Sequence, residues 1–245
     1  METTIKISES QYELAAGLAG EISELINRAA FRKTPLTIAL SGGGTPRLLF
    51  ELLGERYSER TDWNYVHFFW GDERCVAPDD PESNYGMTKS VFLDKINIPA
   101  SNIHRIRGES VPDREAVRYS GEIRRFTRPV NNLPEFDVIL LGLGEDGHTA
   151  SIFPKNRELL FSDRICEVAV HPLTGQKRVT ITGPVINNAG SIYFLVTGAA
   201  KAEVVADVIE KPGEVSYPAA SVAPVHGIIK WYLDLDAASM LNQWA

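Results

Sequence analysis

The chain has 245 residues, of which 44% are hydrophobic and 23% are charged, a composition typical of a globular protein with a full core. Its 25 Lys and Arg face 32 Asp and Glu, and the net charge of -7 argues against general nucleic-acid binding. The sequence has neither an apolar run of about eighteen residues nor a basic-then-apolar amino terminus, so we expect a cytoplasmic protein that makes no use of a membrane.

Apolar runs alternate with amphipathic stretches along the chain. This pattern predicts an α/β fold: a doubly wound, mostly parallel, Rossmann-like sheet with helices on both faces, as a single domain over residues 1–245. The clearest strand candidates are 36–40, 66–70, 136–144 and 191–198, with weaker ones near 180 and 230. Apolar residues three or four apart predict helices over 10–31, 84–96, 113–126 and 199–210.

Two of the helices have capping signals at their starts. Thr45 followed by Pro46 predicts a capping hydroxyl with a proline at the first helical position. Asp113 is expected to cap the helix that follows it.

Four loops follow the four clearest strands. In a parallel sheet such loops gather at the carboxyl edge, where these folds usually bind ligands. The loops are SGGGTP (41–46), GDERC (71–75), EDGHTAS (145–151) and GAAK (198–201). We therefore expect their hydroxyl, carboxylate, imidazole, guanidinium and ammonium groups to lie close together.

The first loop, Ser41 to Pro46, has three glycines between a strand and a helix. Glycines let the backbone approach a ligand, and exposed N–H groups at a helix start attract phosphate. The loop is neither a Walker loop nor a GxGxxG motif. It predicts an anion cradle, and a tight strand-to-helix turn is the alternative.

Basic side chains near this edge could strengthen the cradle. Lys201 follows a strand by one short turn, and Arg178 precedes VTIT, so each could contact the same anion. Either could equally be an ordinary solvated surface residue.

The loop GDERC places two carboxylates and a guanidinium directly after a strand. Asp72 and Glu73 could act as acid, base or orienting acceptor, and Arg74 could hold phosphate or polarise a carbonyl. A local salt-bridged turn explains the same residues equally well.

The segment FDVILLGLGEDGHTASIFP gives the strongest indication of chemistry. A buried strand ends in a glycine-rich loop with Asp146 and His148, and the ordinary pKa of histidine, about 6.5, suits a general base. We expect the other histidines to be core or surface residues: His67, His104, His171 and His226.

Taken together, these segments resemble the glucosamine-6-phosphate isomerase/6-phosphogluconolactonase superfamily over almost the whole chain. The resemblance rests on SGGGTPRLLFELL, FFWGDERCVAPDDPESNYGM, LLGLGEDGHTASIFP, RVTITGPVINNA and VTGAAK, in that order. The isomerase and deaminase branch continues its Asp-Gly-His motif with a glutamate-containing stretch. Here residues 149–154 read TASIFP and lack that acid, so the sequence is similar to the lactonase branch.

The resemblance implies the hydrolysis of 6-phosphogluconolactone to 6-phosphogluconate in the pentose phosphate pathway. It implies that His148 is the catalytic base with Asp146 beside it, and that phosphate meets the positions Ser41, Gly42, Gly43, Gly44, Thr45, Arg178 and Lys201. Arg74 matches a further basic position near the phosphate, or offsets charge on the carbonyl oxygen.

The expected mechanism is attack of water on the lactone carbonyl, assisted by neutral His148, which then protonates the ring oxygen as it leaves. Asp146, or a carboxylate of Asp72 and Glu73, would orient the imidazole. This chemistry needs no metal or organic cofactor, and Cys75 and Cys166 lack the paired spacing of a zinc site.

Two other functions stay open at this stage. One is an isomerase or deaminase acting on glucosamine 6-phosphate, and the other is a sugar-phosphate sensor without catalysis. The expected partner in each case is a small phosphorylated sugar, with no nucleic acid or membrane involved. The oligomeric state cannot be inferred from the sequence.

Overall fold

The computed structural model describes residues 2–242, so Met1 and residues 243–245, at the two ends of the predicted domain, lie outside the described residues. Within 2–242 there are seven α-helices: α1 Gln11–Arg32, α2 Gly44–Arg56, α3 Asn84–Val91, α4 Pro112–Phe126, α5 Gly183–Ile186, α6 Ala202–Glu210 and α7 Leu235–Ala238. The same residues contain twelve strands: β1 Glu2–Ser8, β2 Leu36–Leu40, β3 Val66–Trp70, β4 Asp72–Arg74, β5 Ile103–His104, β6 Arg128–Val130, β7 Leu133–Glu135, β8 Val138–Leu141, β9 Cys166–Val170, β10 Lys177–Ile181, β11 Ser191–Val196 and β12 Ile228–Asp234.

Seven strands form one central sheet in the order β1-β12-β11-β8-β2-β3-β5, and all of its neighbouring pairs are parallel. From β2 the chain winds outward through β3 to β5, and then returns to the other side of β2 with β8, β11 and β12. The winding direction therefore reverses between β2 and β8. The predicted doubly wound α/β fold is confirmed.

The central strands are continuous apolar runs because both of their faces are covered. Ile38 and Ala39 of β2 are fully buried, as are Phe194 of β11 and Leu140 of β8. A strand buried on both faces has no solvent side on which polar residues would alternate. The edge strand β1 does alternate, and its polar residues kept it out of the strand prediction.

Two smaller sheets lie outside the central one. β4, β10 and β9 form an antiparallel sheet, and β6 pairs with β7. Two expectations are corrected here. Residues 72–74 of the predicted GDERC loop form a strand, and VTIT near 180 belongs to β10, outside the parallel sheet. Both segments are short and rich in polar residues, and they pair with each other, and β10 also with β9, instead of extending the central sheet.

The predicted caps are wrong although the helices form. Helix α2 begins at Gly44 after Gly43, with no side chain bonded at its start, and the Thr45 hydroxyl instead bonds that of Thr197 at 2.7 Å. Helix α4 begins at Pro112, one residue before Asp113. Proline at the first helical position fixes that start, because it has no N–H to satisfy.

In the part of the chain that the structure describes, no helix combines the length and the apolar character needed to cross a membrane.

Candidate functional site

A cavity of about 220 Å³ opens at the carboxyl edge of the central sheet, beside the ends of β2 and β8. Parallel sheets usually bind ligands where their winding reverses. Eight of the residues predicted from the sequence line this cavity: Ser41, Gly42, Gly43, Asp72, Arg74, His148, Arg178 and Lys201. Gly44, Thr45, Glu73 and Asp146 do not line it.

Two larger surface cavities, of about 720 and 560 Å³, lie beside α3 and α4. Their charged side chains are largely paired with one another. Arg105 bonds both carboxylate oxygens of Glu109, and Arg118 bonds those of Glu115. The smaller cavity at the sheet edge holds three buried polar atoms that have no hydrogen-bond partner within residues 2–242, namely the Ser41 hydroxyl and the Nε atoms of Arg74 and Arg178.

The glycine loop after β2 brings backbone to the cavity wall. Gly43 has a φ of 109°, a region that favours glycine. A Cβ on Gly42 would lie 1.8 Å from Oδ1 of Asn84, so only glycine fits at that position. The Ser41 hydroxyl is buried and has no hydrogen-bond partner within residues 2–242, which leaves it free for a ligand.

Gly44 and Thr45 form the first turn of α2 rather than the cavity wall. The backbone N–H groups at a helix start have no partners inside the helix and carry partial positive charge. The predicted anion cradle would therefore use the backbone N–H groups of these two residues and not the threonine hydroxyl.

Two arginines face each other across the small antiparallel sheet. Arg74 of β4 and Arg178 of β10 are directly paired in register. Like charges directly opposite each other destabilise a strand pair. Both Nε atoms are buried without a partner among the described residues. An anion between the two side chains would satisfy these donors and relieve the repulsion.

The environment of Arg178 also makes its positive charge unfavourable without an anion. Burial, more than anything else, lowers the pKa of Arg178, and the charge of Arg74 lowers it further while that of Asp72 opposes the shift. A desolvated guanidinium beside a second one is costly unless an anion compensates it. Lys201 adds a third cation to the cavity, with Nζ 3.9 Å from a carboxylate oxygen of Glu145.

Glu73 lies behind the cavity and organises its wall. It is buried, and its carboxylate accepts hydrogen bonds from the backbone N–H groups of Arg74, Asn84 and Tyr85 and from the Ser83 hydroxyl. Burial raises the pKa of Glu73, and these bonds offset only part of the rise. The structure therefore does not bring Glu73 to the reacting centre, because both of its oxygens hold the start of α3.

The imidazole of His148 is held by Asp146. Nδ1 of His148 lies 2.5 Å from Oδ1 of Asp146, and the backbone N–H of His148 donates to the same oxygen at 3.2 Å. Partial burial raises the pKa of Asp146, but the hydrogen bonds from His148 outweigh it and bring that pKa below its ordinary value. A charged carboxylate on Nδ1 fixes the proton there and leaves Nε2 as the free base.

Two glycines make room for this arrangement. A Cβ on Gly144 would lie 2.0 Å from Nδ1 of His148, and one on Gly147 would lie 2.3 Å from the ring of Tyr217. Gly147 also has a φ of 74°. Gly144 is therefore required by the position of the His148 ring, and Gly147 by its own backbone conformation and the Tyr217 ring.

Several cavity residues were not predicted from the sequence: Asn84, Gly142, Leu143, Gly144 and Ala150. Phe153 also escaped prediction, although its ring lies 4.7 Å from that of His148 and the Arg178 guanidinium lies 5.5 Å from its centre. Asn84 lies in the segment NYGM and Phe153 in the segment SIFP, each a short distance after a predicted site loop. An amide or aromatic side chain close to such a loop was the sequence feature that could have indicated a cavity residue.

Among residues 2–242 there is no group of three or more His, Cys, Asp or Glu side chains that could hold a metal ion. The cationic side chains of the cavity, Arg74, Arg178 and Lys201, are donors suited to an anion.

Known proteins resemble this chain along its length. A model of the family described as glucosamine-6-phosphate isomerases/6-phosphogluconolactonase matches residues 9–231. A 6-phosphogluconolactonase of Aggregatibacter actinomycetemcomitans is 45% identical over 210 residues, which cover 84% of this chain and 88% of that protein.

Two solved structures are similar in fold as well as in sequence. One, described as the crystal structure of devB protein, has a TM-score of 0.93 and 42% identity, and covers 99% of this chain and 100% of that chain. A 6-phosphogluconolactonase from Trypanosoma brucei has a TM-score of 0.87 and 30% identity, with 100% and 99% of the two chains covered.

Proposed function

Because the chain belongs to the family of glucosamine-6-phosphate isomerases and 6-phosphogluconolactonases, we propose that His148 is the general base of its lactone hydrolysis. The chain is an enzyme that hydrolyses 6-phosphogluconolactone to 6-phosphogluconate, a step of the pentose phosphate pathway. The observation that carries the role of His148 is its 2.5 Å contact with Asp146 at the wall of a cavity that also holds three cationic side chains.

The reaction follows from the state of the imidazole. Asp146 holds the proton on Nδ1 of His148. Nε2 then takes a proton from a water molecule while the water oxygen attacks the carbonyl carbon of the lactone. The bond between that carbon and the ring oxygen then breaks, and the imidazolium returns the proton to the ring oxygen. Asp146 stabilises the transient positive charge, and no covalent enzyme intermediate is needed.

The cationic groups bind the phosphate and so orient the sugar. Arg74, Arg178 and Lys201 supply charged donors, and the backbone of the Ser41 to Thr45 loop supplies N–H groups at the start of α2. Phosphate binding far from the reacting carbon can be used to orient that carbon against His148. This cluster also explains how a chain of net charge -7 can bind an anionic substrate.

The loop after His148 disfavours the isomerase and deaminase reaction. Its side chains are a threonine bonded to the carbonyl of Gly142, a serine bonded to Asp72 and an apolar Phe153. Residues 149–154 thus place no carboxylate next to the imidazole for ring opening.

The test is a direct assay of freshly prepared 6-phosphogluconolactone, whose opening releases one acid equivalent. We expect the protein to accelerate opening above the spontaneous rate and to release no ammonia from glucosamine 6-phosphate. Ammonia release would instead support a deaminase. Stabilisation against heat by 6-phosphogluconate with no acceleration of opening would support a sensor.

A further inference from the structure

Ser151 lies just behind the cavity, at the end of a strained turn. Its side chain is fully buried, and the residue before it, Ala150, has a φ of 47°. The turn is closed by a hydrogen bond of 2.9 Å from the N–H of Ile152 to the carbonyl of Thr149. A non-glycine residue in the left-handed region is strained, so this backbone persists only where its surroundings impose it.

The strained turn places the Ser151 hydroxyl between two charged cavity residues. Oγ donates to Oδ2 of Asp72 at 2.5 Å and accepts from Nη1 of Arg178 at 3.4 Å. The backbone N–H of Ser151 donates to the Thr180 hydroxyl at 3.2 Å, which fixes the serine from the other side. Arg178 Nη1 is 3.9 Å from Asp72 Oδ2, too far for a direct hydrogen bond.

This arrangement keeps a carboxylate and a guanidinium apart although both line one cavity. Asp72 is buried, and within residues 2–242 its Oδ2 has the serine as donor while Oδ1 accepts no hydrogen bond. Without the hydroxyl, Arg178 could close on Asp72 as a direct ion pair. Both charges would then be turned toward each other instead of toward a ligand.

We propose that Ser151 is a positioning residue that holds Asp72 and Arg178 apart, so that Asp72 Oδ1 accepts a hydrogen bond from a hydroxyl of the sugar lactone. The proposal rests on the proposed function, since it assigns a second polar contact to the same substrate. Asp72 thereby binds a hydroxyl group of the sugar, while the two arginines and Lys201 bind its phosphate. Asp146, and not Asp72, orients the imidazole.

The experiment is a double-mutant cycle of Ser151→Ala and Asp72→Asn, assayed with 6-phosphogluconolactone. We expect Ser151→Ala alone to raise KM about tenfold, the size of a lost hydrogen bond to a charged group, with a smaller change in kcat. In the Asp72→Asn background the same change should alter KM less than about twofold, because a neutral amide forms no ion pair with Arg178 for the serine to prevent.

Thr37→Val is the matched structural control. In the parent, the Thr37 hydroxyl donates to the Asp137 carboxylate at 2.8 Å, and Thr37 lies at the opposite edge of the sheet from the cavity. It should lower the melting temperature about as much as Ser151→Ala and leave KM unchanged. If Ser151→Ala does not fold, Ser151→Cys, which keeps the volume and offers only a weak donor, takes its place in the cycle.

Additive effects of the two substitutions, or a Ser151→Ala variant with the KM of the parent, would overturn the proposal while the parent still opens the lactone. A parent that leaves the lactone to open at its spontaneous rate would overturn the proposed function itself, and this proposal with it.

Discussion

The proposed chemistry depends on how a few residues fit around the imidazole of His148. His148 is held on one side by Asp146 and on another by Phe153, and the absence of a side chain at Gly144 gives it room. The sequence predicted the histidine and the aspartate because their functional groups are chemically distinctive. It did not predict why Gly144 must be a glycine, since that requirement appears only when the ring is in place.

Gly144→Ala should therefore impair catalysis without unfolding the protein. A Cβ would lie 2.0 Å from Nδ1 of His148, so the ring must move. Misplacing a catalytic group by about 1 Å can cost on the order of a hundredfold, and we expect kcat to fall at least tenfold on that scale.

Gly121→Ala in α4 is the matched control, because a Cβ there would meet nothing within 4 Å. It should keep the kcat of the parent and gain about 0.5–1 kcal/mol in the free energy of unfolding, as alanine is favoured over glycine inside a helix. A Gly144→Ala variant with parental kcat would show that the ring tolerates displacement.

At the scale of elements, the ends of β2, β3, β8 and β11 bring the site together. Predicting the apolar strands was enough to locate most of the carboxyl-edge loops, because parallel strands end at one edge. The segment 72–74 was harder to assign, since Asp-Glu-Arg has no strand-like pattern of its own. It pairs with β10, which is more than a hundred residues away in the sequence, and only the folded chain provides that partner.

The end of β12 supports the loop that carries Lys201. Both carboxylate oxygens of Asp234 accept the N–H of Gly198, at 3.0 and 3.1 Å, and one also accepts that of Ala237 at 2.8 Å. Asp234→Ala should raise KM for the lactone severalfold, as Lys201→Ala should. It should also lower the free energy of unfolding by about 1–3 kcal/mol, because buried N–H groups lose their acceptor.

Asp62→Ala serves as the comparison for Asp234→Ala. This residue also accepts a backbone N–H through its side chain, that of Asn64, but it precedes β3 and so lies at the other edge of the sheet. The Asp62→Ala variant should have the same KM for the lactone as the parent. An unchanged KM in Asp234→Ala would mean that the Lys201 loop is held by other contacts.

At the scale of the whole molecule, the fold class could be predicted and the order of the strands could not. Alternating strand and helix patterns specify a doubly wound sheet in general. The position of β1 beside β12 joins the two ends of the described chain, and no local pattern encodes such a pairing. The buried His104 and the half-buried His67 show a similar long-range dependence, because their partners come from different elements.

Stability should depend on pH through His67 and His104 at the β3–β5 edge. Nδ1 of His67 is 2.9 Å from Nε2 of His104, whose Nδ1 is 2.8 Å from Glu122. Burial lowers the pKa of His67, and the charge of His104 lowers it further. Burial likewise lowers the pKa of His104, against the opposing effect of Glu122.

The unfolded chain therefore binds more protons than the folded one below the ordinary histidine pKa of about 6.5. The free energy of unfolding should fall as pH is lowered through that value, and urea unfolding at pH 7.5, 6.5 and 5.5 would measure it. His67→Phe removes one of the two titrating groups and should show a smaller decrease. A free energy that is constant or higher at pH 5.5 would contradict the assignment.

The proposed function depends above all on His148 as the base for lactone opening. The most direct measurement is kcat on fresh 6-phosphogluconolactone for the parent, His148→Ala and His226→Ala, the last removing a histidine that contacts Glu135 away from the cavity. A general base contributes about a hundredfold or more, so His148→Ala should lose at least that much while His226→Ala keeps the parental rate. A His148→Ala variant that opens the lactone as fast as the parent would show that His148 is not the base.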